Sequence, residues 1–361
     1  MSRFRFVLLM LLAAPYGLPM VCSADSSAFP KPAYLSAPLQ PSGQLHFFSS
    51  RVEGQGGEAP RRALVVLHGH GRDAGRTFAA AYRAAVLAGR VDQTLIVAPL
   101  FQVAVEASSH CRSVGLPAVQ AGDALWSCAS WMEGGRAENG GPGAFSALDT
   151  LLKTLKQRWP SVRQVTLAGF SAGGQMLQHY IGFAAPPPGG LQVRYVVADP
   201  GSWLYFDDVR PRPVRQGQPV DWLSCQDETD RPGGCAYVWA PAAACPGFDR
   251  WKYGLSGLPS ALAAPGRAPR EVYASADIAY LEGALDQGEA PAAHGKVLDR
   301  ACAAFAQGSF RLQRGLAYAA YDRERIAPDK RRRVQRVPGC AHDVACVFTS
   351  LEGRAALFLA P

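Results

Sequence analysis

The sequence predicts a three-layer α/β fold with a mostly parallel central sheet and irregular, disulfide-stapled insertions over one edge. Three observations lead there: short β-branched runs that are apolar at almost every position, longer stretches of helical spacing between them, and a glycine-rich passage from strand to helix around Ser171. Strands apolar on both faces belong to a parallel sheet covered by helices on both sides, whereas half-exposed antiparallel strands would alternate.

The chain opens "MSRFRFVLLMLLAAPYGLPMVCSA", two arginines followed by an apolar run and small residues, which is the layout of a secretory signal peptide. Pro15 and Pro19 interrupt the run, which falls short of the roughly 20 apolar residues that span a bilayer. Cleavage is expected after Ala24, leaving residues 25–361 as one domain with no integral membrane segment. A lipoprotein acylated at Cys22 is disfavoured, because Pro19-Met20-Val21 lacks a small residue just before the cysteine. The expected location is periplasmic or extracellular.

Leu64–Leu67, Leu95–Ala98, Val165–Ala168, Tyr195–Ala198 and Ile278–Leu281 read as buried strands. Between them Phe145, Leu148, Leu152 and Leu155 keep a helical spacing, as do Met176, Leu177, Tyr180 and Ile181. "PPPGG", Pro186–Gly190, reads as a loop. Residues 101–142 and 201–268 are rich in Gly, Pro, Trp and Cys without clear periodicity, and are expected to build an irregular rim over the carboxyl edge of the sheet, where ligands bind in such folds.

The formal net charge of +8 falls by two when Arg3 and Arg5 leave with the leader. The one dense basic run, Lys330–Arg333, has no interleaved aromatics and reads as a solvated face before a strand, so no nucleic-acid partner is expected. Without Cys22 eight cysteines remain, an even number that in an exported chain points to four disulfides. Close spacing favours Cys111 with Cys128, Cys225 with Cys235 and Cys340 with Cys346, leaving Cys245 with Cys302, one of about 105 connectivities. No CxxC pair suggests a redox or zinc site, and no metal or organic cofactor is called for.

The chemistry centres on "LAGFSAGGQM", Leu167–Met176. A lone G-x-S-x-G is weak evidence, but here it follows an apolar strand and opens a helical pattern, the setting of a nucleophile elbow. The strained turn and close chain crossing there give Gly169 and Gly173 a steric reason to lack side chains. A serine hydroxyl needs a base and oxyanion donors. Donors are expected from the Ala172 amide with that of His70, or next Gly71, in the "HGHG" turn at the end of an apolar strand. The imidazoles of His68 and His70 read as structural. For the base, chain order leaves His342, in "VPGCAHDVAC" between two cysteines, or His294 in an Ala/Pro/Gly loop; His342 is favoured. For the acid, Asp286 past the strand ending at Leu281 is favoured over Asp199, Glu282 and Asp343.

With these residues placed, the chain resembles the α/β-hydrolase superfamily, through "HGHGR", "GFSAGG", "YLEGALD" and "PGCAHD" in that order. Within it, the chain is similar to secreted esterases of the polyhydroxybutyrate depolymerase and feruloyl esterase type. It is more closely similar to a bacterial group of α/β hydrolases, through "GFSAGGQMLQHY", "VRYVVADPGSWLYFD", "CPGFDRWKYGL" and "LDRACAAFAQGSFRLQRG", from about residue 60 onward. That group usually carries histidine where Phe170 stands, and Thr-Asn where His70-Gly71 stand.

The residues and the resemblance together imply a monomeric serine hydrolase cleaving a small or oligomeric ester. Two alternatives remain: an exported peptidase or amidase on the same three residues, and a binding protein on a hydrolase fold. Trp203 and Tyr205 can either line a substrate pocket or pack beneath the cysteine-rich insertion, and Trp126 and Trp131 stand in the same balance.

Overall fold

The computed structural model describes residues 31–54, 56–225, 235–262, 268–288 and 298–358. The leader with its expected cleavage after Ala24, Cys22 and the alternative base His294 lie outside the described residues.

An antiparallel pair, β1 (Ala33–Pro38) and β2 (Gln44–Ser49), precedes the expected alternation of β3 (Arg62–Leu67), α1 (Ala74–Leu87) and β4 (Thr94–Leu100). The segment after β4 is as irregular as its composition implies, holding the two-residue strands β5 (Gln102–Val103) and β6 (Leu125–Trp126) and a single 3-10 turn, Val105–Ala107. Alternation resumes with α2 (Ala144–Arg158), β7 (Gln164–Phe170), α3 (Ala172–Phe183) and β8 (Gln192–Ala198). Pro188–Gly190, within the expected loop, forms a single 3-10 turn.

Residues 201–268 correct the expectation of irregularity. They contain a three-stranded antiparallel sheet of β9 (Arg210–Arg215), β10 (Gln218–Pro219) and β11 (Ala236–Ala240), with β9 in the middle. Proline normally argues against a central strand. Here β10 pairs only with Val214 and Arg215, so neither Pro211 nor Pro213 has a β10 residue opposite it. The buried guanidinium of Arg210 anchors the sheet, bonding the carbonyls of Phe248 and Tyr253 at 2.6 and 2.8 Å and lying over the Tyr205 ring.

The remainder comprises α4 (Pro269–Ser275), β12 (Asp277–Gly283), α5 (Cys302–Phe305), α6 (Arg311–Tyr321), β13 (Val334–Val337), α7 (Val344–Thr349) and α8 (Leu351–Phe358). The basic run is also corrected in part. Arg332 turns inward to Asp322 at 3.1 Å, because an acid on the neighbouring segment pairs it, while Lys330, Arg331 and Arg333 stay exposed.

The main sheet runs β1-β2-β4-β3-β7-β8-β12-β13, antiparallel at β1, β2 and β4 and parallel from β4 onward. Its strands feed two cores. Ala63, Val65 and Leu67 of β3 pack with Leu148 of α2 and Met176 of α3, and the intervening Leu64 and Val66 pack with Phe78 of α1, Val347 of α7 and Leu357 of α8. This two-sided burial is why the strands read as continuous apolar runs. All four expected disulfides are present: Cys111–Cys128, Cys225–Cys235, Cys245–Cys302 and Cys340–Cys346. No helix among the described residues is long and apolar enough to cross a membrane.

Candidate active site

The carboxyl ends of β3, β7, β8, β12 and β13 bring the candidate residues together. Ser171 stands between β7 and α3 at φ 58° and ψ −121°, a backbone conformation that non-glycine residues rarely hold. Its neighbours explain how the turn closes. A Cβ on Gly169 would lie 2.2 Å from the Gly173 carbonyl, and one on Gly173 would lie 2.4 Å from Leu67 O and 2.6 Å from His68 O. The Ser171 amide bonds Ala198 O at 3.0 Å, tying the elbow to the end of β8.

His342 lies on the loop between β13 and α7, which Cys340–Cys346 closes. Its Nε2 is 2.9 Å from Ser171 Oγ and its Nδ1 is 2.6 Å from Asp286 Oδ2. A carboxylate only accepts, so Nδ1 carries the proton and Nε2 is left to accept from the serine hydroxyl. Asp286 sits on the turn after β12, its amide bonded to Gly283 O at 2.9 Å. Gly283 allows the two loops to meet, since a Cβ there would lie 2.7 Å from Cys340 O. Burial by itself would raise the Asp286 carboxyl; the His342 hydrogen bond and charge, then the Arg311 guanidinium at 3.3 Å, outweigh it and hold the group below the usual carboxylate value.

The rival acids make other contacts. Asp343 caps α7, accepting from the amides of Ala345 and Cys346 at 2.7 and 3.2 Å, and reaches Arg76 on its outer side. Asp199 and Glu282 are buried near Asp286, but it is Asp286 that bonds the imidazole.

Ala172 opens α3, where the first amides have no intrahelical acceptor. The loop carrying His70 and Gly71 passes beside it, with the Cβ position of Gly69 3.8 Å from Ser171 Cβ. His68 is structural: its Nδ1 donates to Gly69 O at 2.9 Å and its Nε2 accepts from the Phe101 amide at 3.2 Å. Burial pushes it down to about 4. His70 faces the cleft, its value lowered by burial and then by the charge of Lys252.

The pocket expectation for Trp203 and Tyr205 is corrected in favour of packing. Both are fully buried; Trp203 stacks on Tyr318 with centroids 4.4 Å apart, and Tyr205 lies 4.6 Å from Tyr321. They follow a central strand, so their rings fill the layer between sheet and α6. Trp126 and Trp131 are equally buried, both against Phe101.

The cleft over Ser171, about 330 Å³, is lined instead by Ala129, Met132 and Tyr253 together with four charged groups, Glu133, Lys252, Asp299 and Arg311, whose positions the sequence did not reveal. Lys252 lies 3.2 Å from Asp299 and 3.5 Å from Glu133, and Arg311 enters from α6. These residues lie on loops and on a helix far apart in sequence, and only the resemblance segments "CPGFDRWKYGL" and "LDRACAAFAQGSFRLQRG" mark Lys252, Asp299 and Arg311. A second cavity, about 280 Å³ at the amino edge of the sheet beside Arg62, Gln164 and Gln192, is lined by no serine, cysteine or histidine.

No family model and no curated protein sequence matches the chain. Among solved structures it is similar to poly(aspartic acid) hydrolase-1 from Sphingomonas sp. KT-1, at 18% identity over 88% of this chain and 95% of that one, with a TM-score of 0.55. It is also similar to LpqC, a poly(3-hydroxybutyrate) depolymerase from Bordetella parapertussis, at 18% identity over 87% of this chain and 86% of that one, with a TM-score of 0.50. The sheet order, the helices on both faces and these likenesses together establish that the chain has the α/β-hydrolase fold.

Proposed function

We propose that the chain is an exported serine hydrolase that cleaves carboxylic esters through an acyl-enzyme. The observation that carries this reading is the unbroken row Ser171 Oγ, His342 and Asp286, with contacts of 2.9 and 2.6 Å, on a strained elbow at the carboxyl edge of the sheet. Ser171 Oγ attacks the acyl carbon as its proton passes to His342 Nε2, and Asp286 stabilises the imidazolium. The oxyanion is held by the amides of Ala172 and His70, with Gly71 the next donor. His342 then returns the proton to the leaving alcohol, and water, activated by the same imidazole, releases the acid.

Nucleophile, base and donors all come from the protein, so the scheme calls on no cofactor. The two structural neighbours are named for hydrolysing poly(aspartic acid) and depolymerising poly(3-hydroxybutyrate), which supports hydrolysis as the reaction class. Four disulfides support an oxidising compartment, periplasm or medium. A cleft of about 330 Å³ suits a small ester or one unit of an oligomer. Turnover of a p-nitrophenyl ester series against matched anilides and peptides tests the reading: ester turnover that outpaces the amides supports it, and preferential amide cleavage transfers the row to a peptidase or amidase.

A further inference from the structure

Behind His342 lies a group of three buried acids, of which the proposed reaction uses only Asp286. Asp286, Asp199 and Glu282 are 1%, 0% and 0% exposed. One oxygen each of Asp199 and Asp286 and a ring nitrogen of His342 fall within 4.8 Å of one another. Asp199 directly follows β8 at φ 45°, unusual for a residue with a side chain, and its Oδ1 accepts from the Gly283 amide at 2.8 Å. Its Oδ2 and both carboxyl oxygens of Glu282 are buried without a hydrogen-bond partner among the described residues.

The groups that face this cluster are Arg311 from α6 and His342 from the loop after β13. Ionised together, the three acids would set three negative charges against one permanent cation in a site closed to water. A carboxylate so placed takes up a proton, and two carboxyl groups in contact hold together only when one of them can donate. The surroundings are shaped around this chemistry: α6 carries Gly315 where a Cβ would fall 2.1 Å from Glu282 Oε1.

We propose that Asp199 and Glu282 are neutral carboxylic acids in the working protein, and that Asp199 donates its proton to Asp286, fixing the orientation and the single negative charge of the acid that serves His342. The relay accounts for the orphaned Asp199 Oδ2, since a proton there turns an unpartnered acceptor into a donor. Burial, and then the Asp286 charge, hold Asp199 well above the usual carboxylate range, and burial followed by Asp199 and Asp286 does the same for Glu282. Asp199 touches no reacting atom; it is a positioning residue, and its catalytic effect rests on the proposed triad.

Two readouts on the full-length oxidised protein test the relay. Infrared spectra at pH 7 should show protonated carboxyl bands in the folded wild type, one lost in Asp199→Asn and another in Glu282→Gln. Absence of such bands, or their survival in both variants, overturns the proposal whether or not the protein turns over esters. In the pH profile of kcat/KM, Asp199→Ala should move the acid limb up by about one unit, a tenfold loss below it, as Asp286 loses its donor and the imidazolium is favoured. Asp199→Asn, whose amide still donates, should recover most of that loss. If Asp199→Asn is as damaged as Asp199→Ala, or if Asp286→Asn stays active through Asp199, then Asp199 is an ionised acid and the relay is wrong. A wild type with no esterase activity instead sinks the functional reading, and the infrared result still decides the protonation.

Discussion

The ring of Phe170 lies against the imidazole of His342, centroids 4.7 Å apart and planes inclined by 33°, and Phe348 meets Phe170 edge-on from behind. The residue before the candidate nucleophile therefore supports the candidate base. Aromatic packing holds one face of the imidazole while Asp286 fixes its edge. Removing the ring should let His342 drift from Ser171 without touching substrate. Phe170→Ala is expected to lower kcat by about 10-fold or more with little change in KM, and Phe170→His, which keeps a flat ring, to retain most activity. Steady-state kinetics on the best p-nitrophenyl ester checks this.

The elbow predicts its own fragility. Gly173 faces backbone carbonyls at 2.4 and 2.6 Å from its Cβ position, and neither can rotate away as a side-chain tip would. Gly173→Ala is expected to cost on the order of 1–3 kcal/mol in unfolding free energy and to abolish labelling of Ser171. Denaturant titration and active-site labelling check the two halves separately.

Arg311 and Asp286 form an ion pair at 3.3 Å with side-chain exposures of 3% and 1%. Arg311→Met leaves a buried carboxylate short of its cation, a change typically costing about 3–5 kcal/mol. Asp286 is held below its ordinary value, so its contribution to stability is present above that value and is lost as pH falls through the folded one. Without Arg311 that loss should begin at higher pH, which the pH dependence of the thermal midpoint measures.

His68 sets a further pH signature. It is fully satisfied as a neutral ring and sits at about 4 against 6.5 for the free side chain. Between those values the unfolded chain binds the proton and the folded one does not, so stability rises with pH across that window and is lost on acidification. The contribution is about 3 kcal/mol at full extent. The thermal midpoint should fall between pH 6.5 and 4 in the wild type, and with a shallower slope in His68→Asn.

The centre of this molecule is legible in its sequence for physical reasons. Val165–Ala168 and its neighbours are buried on both faces, so each strand announces itself as an apolar run. The elbow shows because close backbone contact leaves only glycine at 169 and 173. Close cysteine spacing favours the four bridges that the structure holds, though spacing alone leaves about 105 connectivities. What stays hidden depends on contacts between distant segments. Strand β1 is half-exposed over most of its length and β2 mixes polar with apolar residues, β9 carries two prolines that only the shortness of β10 excuses, and the choice between pocket wall and packing for Trp203 turns on α6, which covers it. Arg311 and Lys252 reach the cleft from elements with no catalytic motif of their own.

The most direct test of the account is fluorophosphonate labelling of the purified, oxidised protein, comparing wild type with Ser171→Ala and His342→Ala. A Ser171 hydroxyl activated by His342 should label strongly in the wild type, with labelling lost in Ser171→Ala and reduced by at least about 100-fold in rate in His342→Ala. A folded wild type that takes up no probe, or a Ser171→Ala protein that labels as well as the wild type, would contradict it.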